Sequence, residues 1–407
     1  MKVIDGGVTA AKGFEAAGAE AAIKYQNRKD MAFVYSQKPC KAAGTFTTNV
    51  VKAAPVKWDK MVVTEAEYAQ AVVINAGVAN ACTGIEGYHY CKDTAKTAAD
   101  LLKINEDAVL VASTGVIGQQ LPMDKILNGV KNMVPMLGSS REEAHEAAKA
   151  IMTTDTKPKE VTFTFEIGGK ECTIAGMCKG SGMIHPNMAT MLCFVVTDVA
   201  ISHELLQKAL SNDVVDTFNM ISVDGDTSTN DSVLLMANGL AGNEEITSEG
   251  EDYKAFCEAL HAIMVALSQK IAGDGEGCTC LFEVTVQGAK TKESARVLAK
   301  SVVTSSLVKA AIFGHDANWG RILCALGYSG EDFDPEKVEI WFSSEAGKLK
   351  IVENGISTGY SEELATKILS QEKVTALVQM NDGNEDATAW GCDLTYDYVK
   401  INADYRS

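Results

Sequence analysis

No stretch of this sequence approaches the ~18 consecutive apolar residues that a membrane-spanning helix requires; the longest runs, 191–196 and 263–267, stop far short. The opening MKVIDGGVTAAKG carries Asp5 and lacks the apolar core of a secretory signal, so a cytoplasmic protein without a targeting segment is expected. Excess basic charge is missing too. With 37 Lys and Arg against 54 Asp and Glu, a net charge of −17 argues against nucleic acid or an anionic membrane as partner and would mildly favour a cationic metabolite. The eleven cysteines form no C-x-x-C pair, and only Cys278 and Cys280 stand close together. Neither a disulfide framework nor a zinc site is suggested, leaving reduced, mostly buried thiols. The six histidines show no H-E-x-x-H spacing. No internal repeat or low-complexity segment is visible.

What is present reads as an ordinary soluble composition, 46% hydrophobic and 22% charged, long enough for two or three domains. Helical and strand patterns alternate, which points to an α/β or α+β fold. Ser140 followed by Glu143 forms a capping box, Ser361 precedes an amphipathic segment, and 253–272 reads as a long helix that Gly273 should stop. Strands are expected at 71–75, 108–112, 161–167, 232–236, 281–286, 338–342 and 394–401. Polar, turn-rich stretches near 241–251 and 288–294 separate smaller units.

The segment from Lys179 to Asp198, KGSGMIHPNMATMLCFVVTD, sets a Gly, Pro and Asn-rich loop against an apolar, β-branched run. Thr190 stands at the junction. Read locally it is a strand-initial threonine, a common feature. If the Ala189–Thr190 bond were cut, its hydroxyl would lie beside its own free α-amine, pairing a weak alcohol nucleophile with a base. STGVIG at 113–118, after the strand VLVAS, supplies the complementary part, a hydroxyl and a backbone N–H at a strand-to-loop turn, suited to an oxyanion.

The string around Thr190 resembles the self-cleavage signature of the ornithine acetyltransferase family, the ArgJ-type arginine-biosynthesis proteins. The resemblance recurs in order at NAGVANACTG (75–84), STGVIG (113–118), TTDTKPK (153–159), NMISVDGDTSTNDS (219–232), GDGEG (273–277), SSLVKAAIFGHDANWGRI (305–322) and NADYRS (402–407). Departures are Val78, Ala317 and the Cys278-Thr279-Cys280 triplet, which replaces a basic residue near a substrate loop.

The resemblance implies a layered sandwich with two central sheets flanked by helices and a smaller C-terminal α/β unit. It implies cleavage between Ala189 and Thr190 into chains 1–189 and 190–407, the second holding an inserted unit at about 200–283, a smaller unit at about 288–380 and a tail at 381–407 that returns to the active site. Thr114 and Gly115 become the oxyanion hole for both cleavage and acetyl transfer. Lys179 is expected to hold a carboxylate, Glu276 the ammonium of ornithine, and Thr156, Thr190, Asn402 and Ser407 to complete substrate binding. The implied reaction passes acetyl from N-acetylornithine to glutamate through an ester on Thr190, releasing ornithine and N-acetylglutamate, without metal or organic cofactor. Some members also take acetyl-CoA, and the two chains assemble as an α2β2 heterotetramer. A threonine amidohydrolase or aminopeptidase, or a small-molecule-binding protein that never cleaves, are the alternatives.

Three rival patterns fail on sequence. Asp224, Asp226, Ser228 and Asn230 alternate as in a calcium loop, but Thr229 and Leu235 stand where Gly and Glu are needed. Ser306 and Lys309 match S-x-x-K without its companion motifs. GDGEG is not a dinucleotide fingerprint. His185, beside the cut, reads as turn filler.

Overall fold

The computed structural model describes residues 1–185 and 191–404. They fall into two compact units interleaved along the chain. The first takes residues 1–180, 191–215 and 227–267; the second takes 181–185, 216–226 and 268–404. These packing units differ from the expected chains 1–189 and 190–407, which a peptide bond defines.

The first unit is built on nine strands: β1 (Lys2–Val3), β2 (Phe14–Ala19), β3 (Met31–Phe46), β4 (Ala69–Val78), β5 (Val109–Val116), β6 (Lys159–Ile167), β7 (Lys170–Lys179), β8 (Leu192–Thr197) and, after the short β9 (Ile221–Ser222) of the second unit, β10 (Ser232–Ala237). Their order is β1-β6-β7-β8-β10-β3-β4-β5, with β2 also on β3. The sixteen-residue β3 joins two layers. Its first half pairs with β2 and β4, its second half with β10. The β4 register slips between Tyr35 and Cys40, around Pro39, which has no N–H to give a ladder. β4, β8 and β10 are buried throughout, which is why they read as unbroken apolar runs and not as alternating ones.

Helices pack on these strands through small and apolar faces. Helix Ala54–Glu65 sends Trp58 Nε1 to the Val109 carbonyl at 2.8 Å. Helix Arg141–Ala150 starts with the expected Ser140–Glu143 capping box and buries Ala144, Ala147, Ala148 and Ala150. Helix Glu251–Ala272 is long and apolar enough to cross a membrane by length and composition, although polar residues interrupt its apolar runs. It is a core helix: Phe256, Leu260, Ile263, Met264 and Leu267 are fully buried.

The second unit carries a seven-stranded sheet that adds β11 (Leu281–Ala289), β12 (Glu339–Ser344), β13 (Gly347–Glu353), β14 (Ile356–Ser357), β15 (Lys373–Gln379) and β16 (Glu385–Cys392), in the order β14-β13-β12-β15-β11-β16-β9. Inward residues of β11 alternate as Phe282, Val284 and Val286, covered by helix Lys292–Thr304 through Leu298, Val302 and Val303. The expected strand at 394–401 is wrong. That segment forms helix Tyr396–Ala403, because the Thr395 side chain caps it by accepting from Tyr398 N–H, while the strand lies earlier at β16.

Candidate active site

Each unit carries part of the predicted machinery. In the first, β4 and β5 run parallel and their register is disturbed where Gly77 meets Gly115. Gly115 has φ +131°, and a Cβ there would sit 2.2 Å from the Gly77 carbonyl carbon, so no other residue fits this approach. Thr114 is half-buried beside it. Behind this strand end lies a buried polar network. Ser113 Oγ donates to Asn75 Oδ1 at 2.6 Å, and Asn75 Nδ2 donates to the Val78 carbonyl at 2.9 Å. Asn230 Nδ2 donates to the Ala79 carbonyl and, at 2.8 Å, to the Ser113 carbonyl. Two residues on, Ser232 N–H donates to the Met191 carbonyl at 3.0 Å, which starts the parallel pairing of β10 with β8. Met191 is the residue bonded to Thr190. Ala189 and Thr190 lie outside the described residues.

At the end of β7, Lys179 is buried and its Nζ lies 4.0 Å from Asp155 Oδ2. Lys159 Nζ is 2.6 Å from Asp155 Oδ1, and the N–H groups of Gly180 and Thr153 donate to the same carboxylate at 2.7 and 3.0 Å. Burial alone would raise the Asp155 pKa. The ammoniums of Lys179 and Lys159 and the Gly180 N–H overcome it and hold it at about 2. TTDTKPK therefore contributes a buried carboxylate that sequence reasoning did not single out, one residue before the exposed Thr156. Lys179, expected as a substrate ligand, also serves this internal cluster.

In the second unit, Glu276 is 6% exposed and accepts a 2.7 Å hydrogen bond from Asn402 Nδ2. Its N–H donates to the Ser181 carbonyl at 3.0 Å. Gly182 makes room for its carboxylate, since a Cβ there would lie 2.3 Å from Glu276 Cδ. Among the described residues no cation lies within ion-pair reach of Glu276. Two predicted ligands 126 residues apart are thus joined, and Ser407 lies outside the described residues. Thr279 and Cys280, shortly after Glu276 and Gly277, are anchored by Asp393, which accepts from Thr279 N–H and Oγ1 at 2.8 and 2.6 Å and from Cys280 N–H at 3.2 Å. Cys280 is buried there.

Asp224 has a structural task. It accepts from the N–H groups of Met183 and Ile184 at 2.6 and 2.8 Å, tying down the loop just before the expected cut. Among the described residues no group of three His, Cys, Asp or Glu is arranged to hold a metal ion. His185 Nδ1 meets Ser222 Oγ at 3.1 Å, and burial, reinforced by repulsion from Lys300, lowers its pKa to about 4. Lys309 of the S-x-x-K match is buried and donates to the Cys392 carbonyl.

Comparison with known proteins gives a consistent answer. A family model described as the ArgJ family matches residues 15–407. The arginine biosynthesis bifunctional protein ArgJ 1 of Clostridium acetobutylicum is 54% identical over 97% of this chain and 96% of its own length. ArgJ of Caldanaerobacter subterraneus subsp. tengcongensis is 51% identical over the full length of both. A crystal structure of ArgJ from Bacillus halodurans is similar with TM-score 0.51 and 50% identity, covering 53% of this chain and 99% of that chain.

Proposed function

This chain belongs to the ArgJ family, and on that premise we propose that it moves the acetyl group of N2-acetyl-L-ornithine to L-glutamate through an acetyl ester on Thr190. The family match carries the class of reaction. The observation that supports an amino-acid substrate is Glu276, a buried carboxylate bonded to a neutral amide. A buried anion is stabilised by a cation more than by an amide, so the ammonium of ornithine is its natural partner. Lys179 complements it by holding a carboxylate, with Thr156, Asn402 and Ser407 completing the contacts.

Maturation precedes turnover. The Thr190 hydroxyl attacks the Ala189 carbonyl, the peptide C–N bond breaks to leave an ester and a free α-amine, and water hydrolyses the ester to give chains 1–189 and 190–407. Support comes from the Bacillus halodurans structure, whose chain is covered to 99% yet spans only 53% of this one, as one piece of a divided chain would. In turnover the α-amine, with a reference pKa of about 7.7–8.0, accepts the hydroxyl proton as Thr190 attacks the acetyl carbonyl. The amide C–N bond breaks and the departing ornithine amine takes the proton. Glutamate's amine then attacks the ester, N-acetylglutamate leaves, and the Thr190 oxygen regains its proton. Thr114 Oγ1 and the Gly115 N–H donate to the oxyanion in both reactions. The proposal includes no cofactor, a cytoplasmic setting, an α2β2 assembly, and acetyl-CoA as a second donor, which glutamate-dependent thiol release would reveal.

The deciding experiment is rapid denaturation after mixing with acetylornithine alone, followed by peptide mass analysis. Acetyl is expected on the fragment beginning Thr190-Met191-Leu192, and added glutamate should discharge it as N-acetylglutamate. An unmodified fragment would sink the covalent route. Discharge to water alone would favour the hydrolase reading, and one intact band on a denaturing gel would remove the nucleophile argument.

A further inference from the structure

We propose that Asn230 is a positioning residue for the oxyanion-binding strand end, tying it to the strand that begins beside the nucleophile. The inference rests on the reading of Thr190, Thr114 and Gly115 given above. The side-chain amide of Asn230 is 7% exposed and spends its N–H donors on two carbonyls, those of Ala79 and Ser113. Both acceptors are backbone oxygens, so only the NH₂ end can face them and the amide orientation is unambiguous. Its oxygen is occupied in turn by Thr229 Oγ1 at 2.6 Å.

The carbonyl of Ser113 and the N–H of Thr114 belong to one planar peptide. Holding the Ser113 oxygen therefore fixes the plane from which Thr114 projects and from which the chain turns into Gly115. The second acceptor, Ala79, follows the bulged Gly77–Val78 segment that faces Gly115, and its own N–H donates to the Val116 carbonyl at 3.0 Å. One amide thus clamps both strands that form the turn. Its backbone is fixed at the other side, because Ser232 N–H holds the Met191 carbonyl. Only Asn230 and Asp231 separate Thr229 from that pairing. An oxyanion hole works when its donors are held before charge develops, and small displacements weaken it. Asn230 touches neither substrate nor reacting atoms in this assignment; it acts through Ser113 and Ala79.

The test compares Asn230→Ala with Asn243→Ala. Asn243 is likewise buried, and its side chain also clamps backbone: it donates to the carbonyls of Ala200 and Glu244 and accepts from Ala200 N–H. Both variants should lose comparable thermal stability. Asn230→Ala should lower kcat for acetylornithine on the order of a hundredfold, the scale of losing one oxyanion donor, with KM within a few-fold, and should slow self-cleavage in parallel. Asn243→Ala should leave both rates near wild type. The infrared carbonyl stretch of the acetyl-Thr190 ester, read on protein left to finish cleaving, should move to higher wavenumber in Asn230→Ala only, since weaker donors polarise the carbonyl less. An unmoved stretch with wild-type cleavage rate in Asn230→Ala, or equal rate losses in the two variants, would make Asn230 merely structural. A wild-type protein that never acetylates Thr190 would instead remove the underlying reading. The cleavage rate needs no mature product, so a variant that matures slowly still reports.

Discussion

Two buried carboxylates, one in each unit, are treated in opposite ways. Asp155 is surrounded by Lys159, Lys179 and two backbone N–H groups, and this company holds its pKa at about 2. Glu276 has, among the described residues, a neutral amide for its side-chain partner. A carboxylate whose charge is fully answered by the protein serves the fold, whereas one left with a neutral partner is suited to a ligand's cation. The comparison also divides the lysine problem: Lys179 cannot be read as a pure substrate ligand, because Asp155 depends on it.

The largest effect should come from breaking the saturated cluster. Asp155→Asn leaves two ammoniums buried around a neutral amide and should destabilise by about 3–5 kcal/mol. Chemical denaturation in the uncleaved Thr190→Ala background, where a single chain unfolds, measures it. A loss under about 1 kcal/mol would show that Asp155 is no more a structural carboxylate than Glu276.

Acid should probe the same cluster more gently. The folded pKa of Asp155 lies below its ordinary value, so its stabilisation is fully present above about pH 4 and is lost as pH falls through about 2. The shift is worth about 2 kcal/mol. Stability measured from pH 5 to pH 2 should fall more steeply in the Thr190→Ala protein than in the same protein carrying Asp155→Asn; parallel curves would assign the acid sensitivity elsewhere.

Glu276→Gln should behave in the contrary manner, with stability nearly unchanged and kcat/KM for acetylornithine lowered by roughly ten- to a hundredfold, for a charge-assisted bond worth about 1.5–3 kcal/mol. Unchanged kinetics would take Glu276 out of the substrate contacts and leave the contrast with Asp155 without a functional meaning.

The sequence exposed one side of this contrast more clearly than the other. Glu276 sits in a glycine-rich loop and Thr114-Gly115 at a strand end, both visible as punctuation in local sequence, and the structure has Glu276 in such a loop and Thr114-Gly115 among the last residues of β5. Seven of the sixteen described strands, β4, β5, β6, β8, β10, β11 and β12, were legible for the same reason, through apolar or alternating runs bounded by turn residues, whereas the sixteen-residue β3 and the C-terminal β13 to β16 were not. The 394–401 segment misled because LTYDYVKI alternates in hydrophobicity as a strand does, and the capping role of Thr395 had to compete with that pattern. Asp155 and Asn230 were hidden for a different reason. Asn230 bonds to carbonyls 117 and 151 residues away, and no local period reports a partner at that distance. Lys179 was expected as a substrate ligand alone because its burial at a strand end beside the Asp155–Lys159 ion pair is a tertiary fact.

The smallest expected effect tests whether Asn402 tunes Glu276 or only accompanies it. Asn402 is exposed near the end of helix Tyr396–Ala403, and its Nδ2 also donates to the Tyr398 carbonyl at 3.0 Å, so the side chain is held in place by its own helix. Asn402→Ala removes one hydrogen bond to a carboxylate that remains able to bind a cation. Stability should change by under about 0.5 kcal/mol, as for an ordinary exposed site, and KM for acetylornithine should rise about two- to tenfold, the scale of one net hydrogen bond. The decisive measurement is the double variant with Glu276→Gln. If Asn402 acts by orienting the carboxylate, the second substitution should cost much less once the charge is gone, giving a coupling of about 0.5–1 kcal/mol. Strict additivity would mean that Asn402 meets the substrate independently, and Glu276 would then bind its cation without any preset orientation from the C-terminal helix.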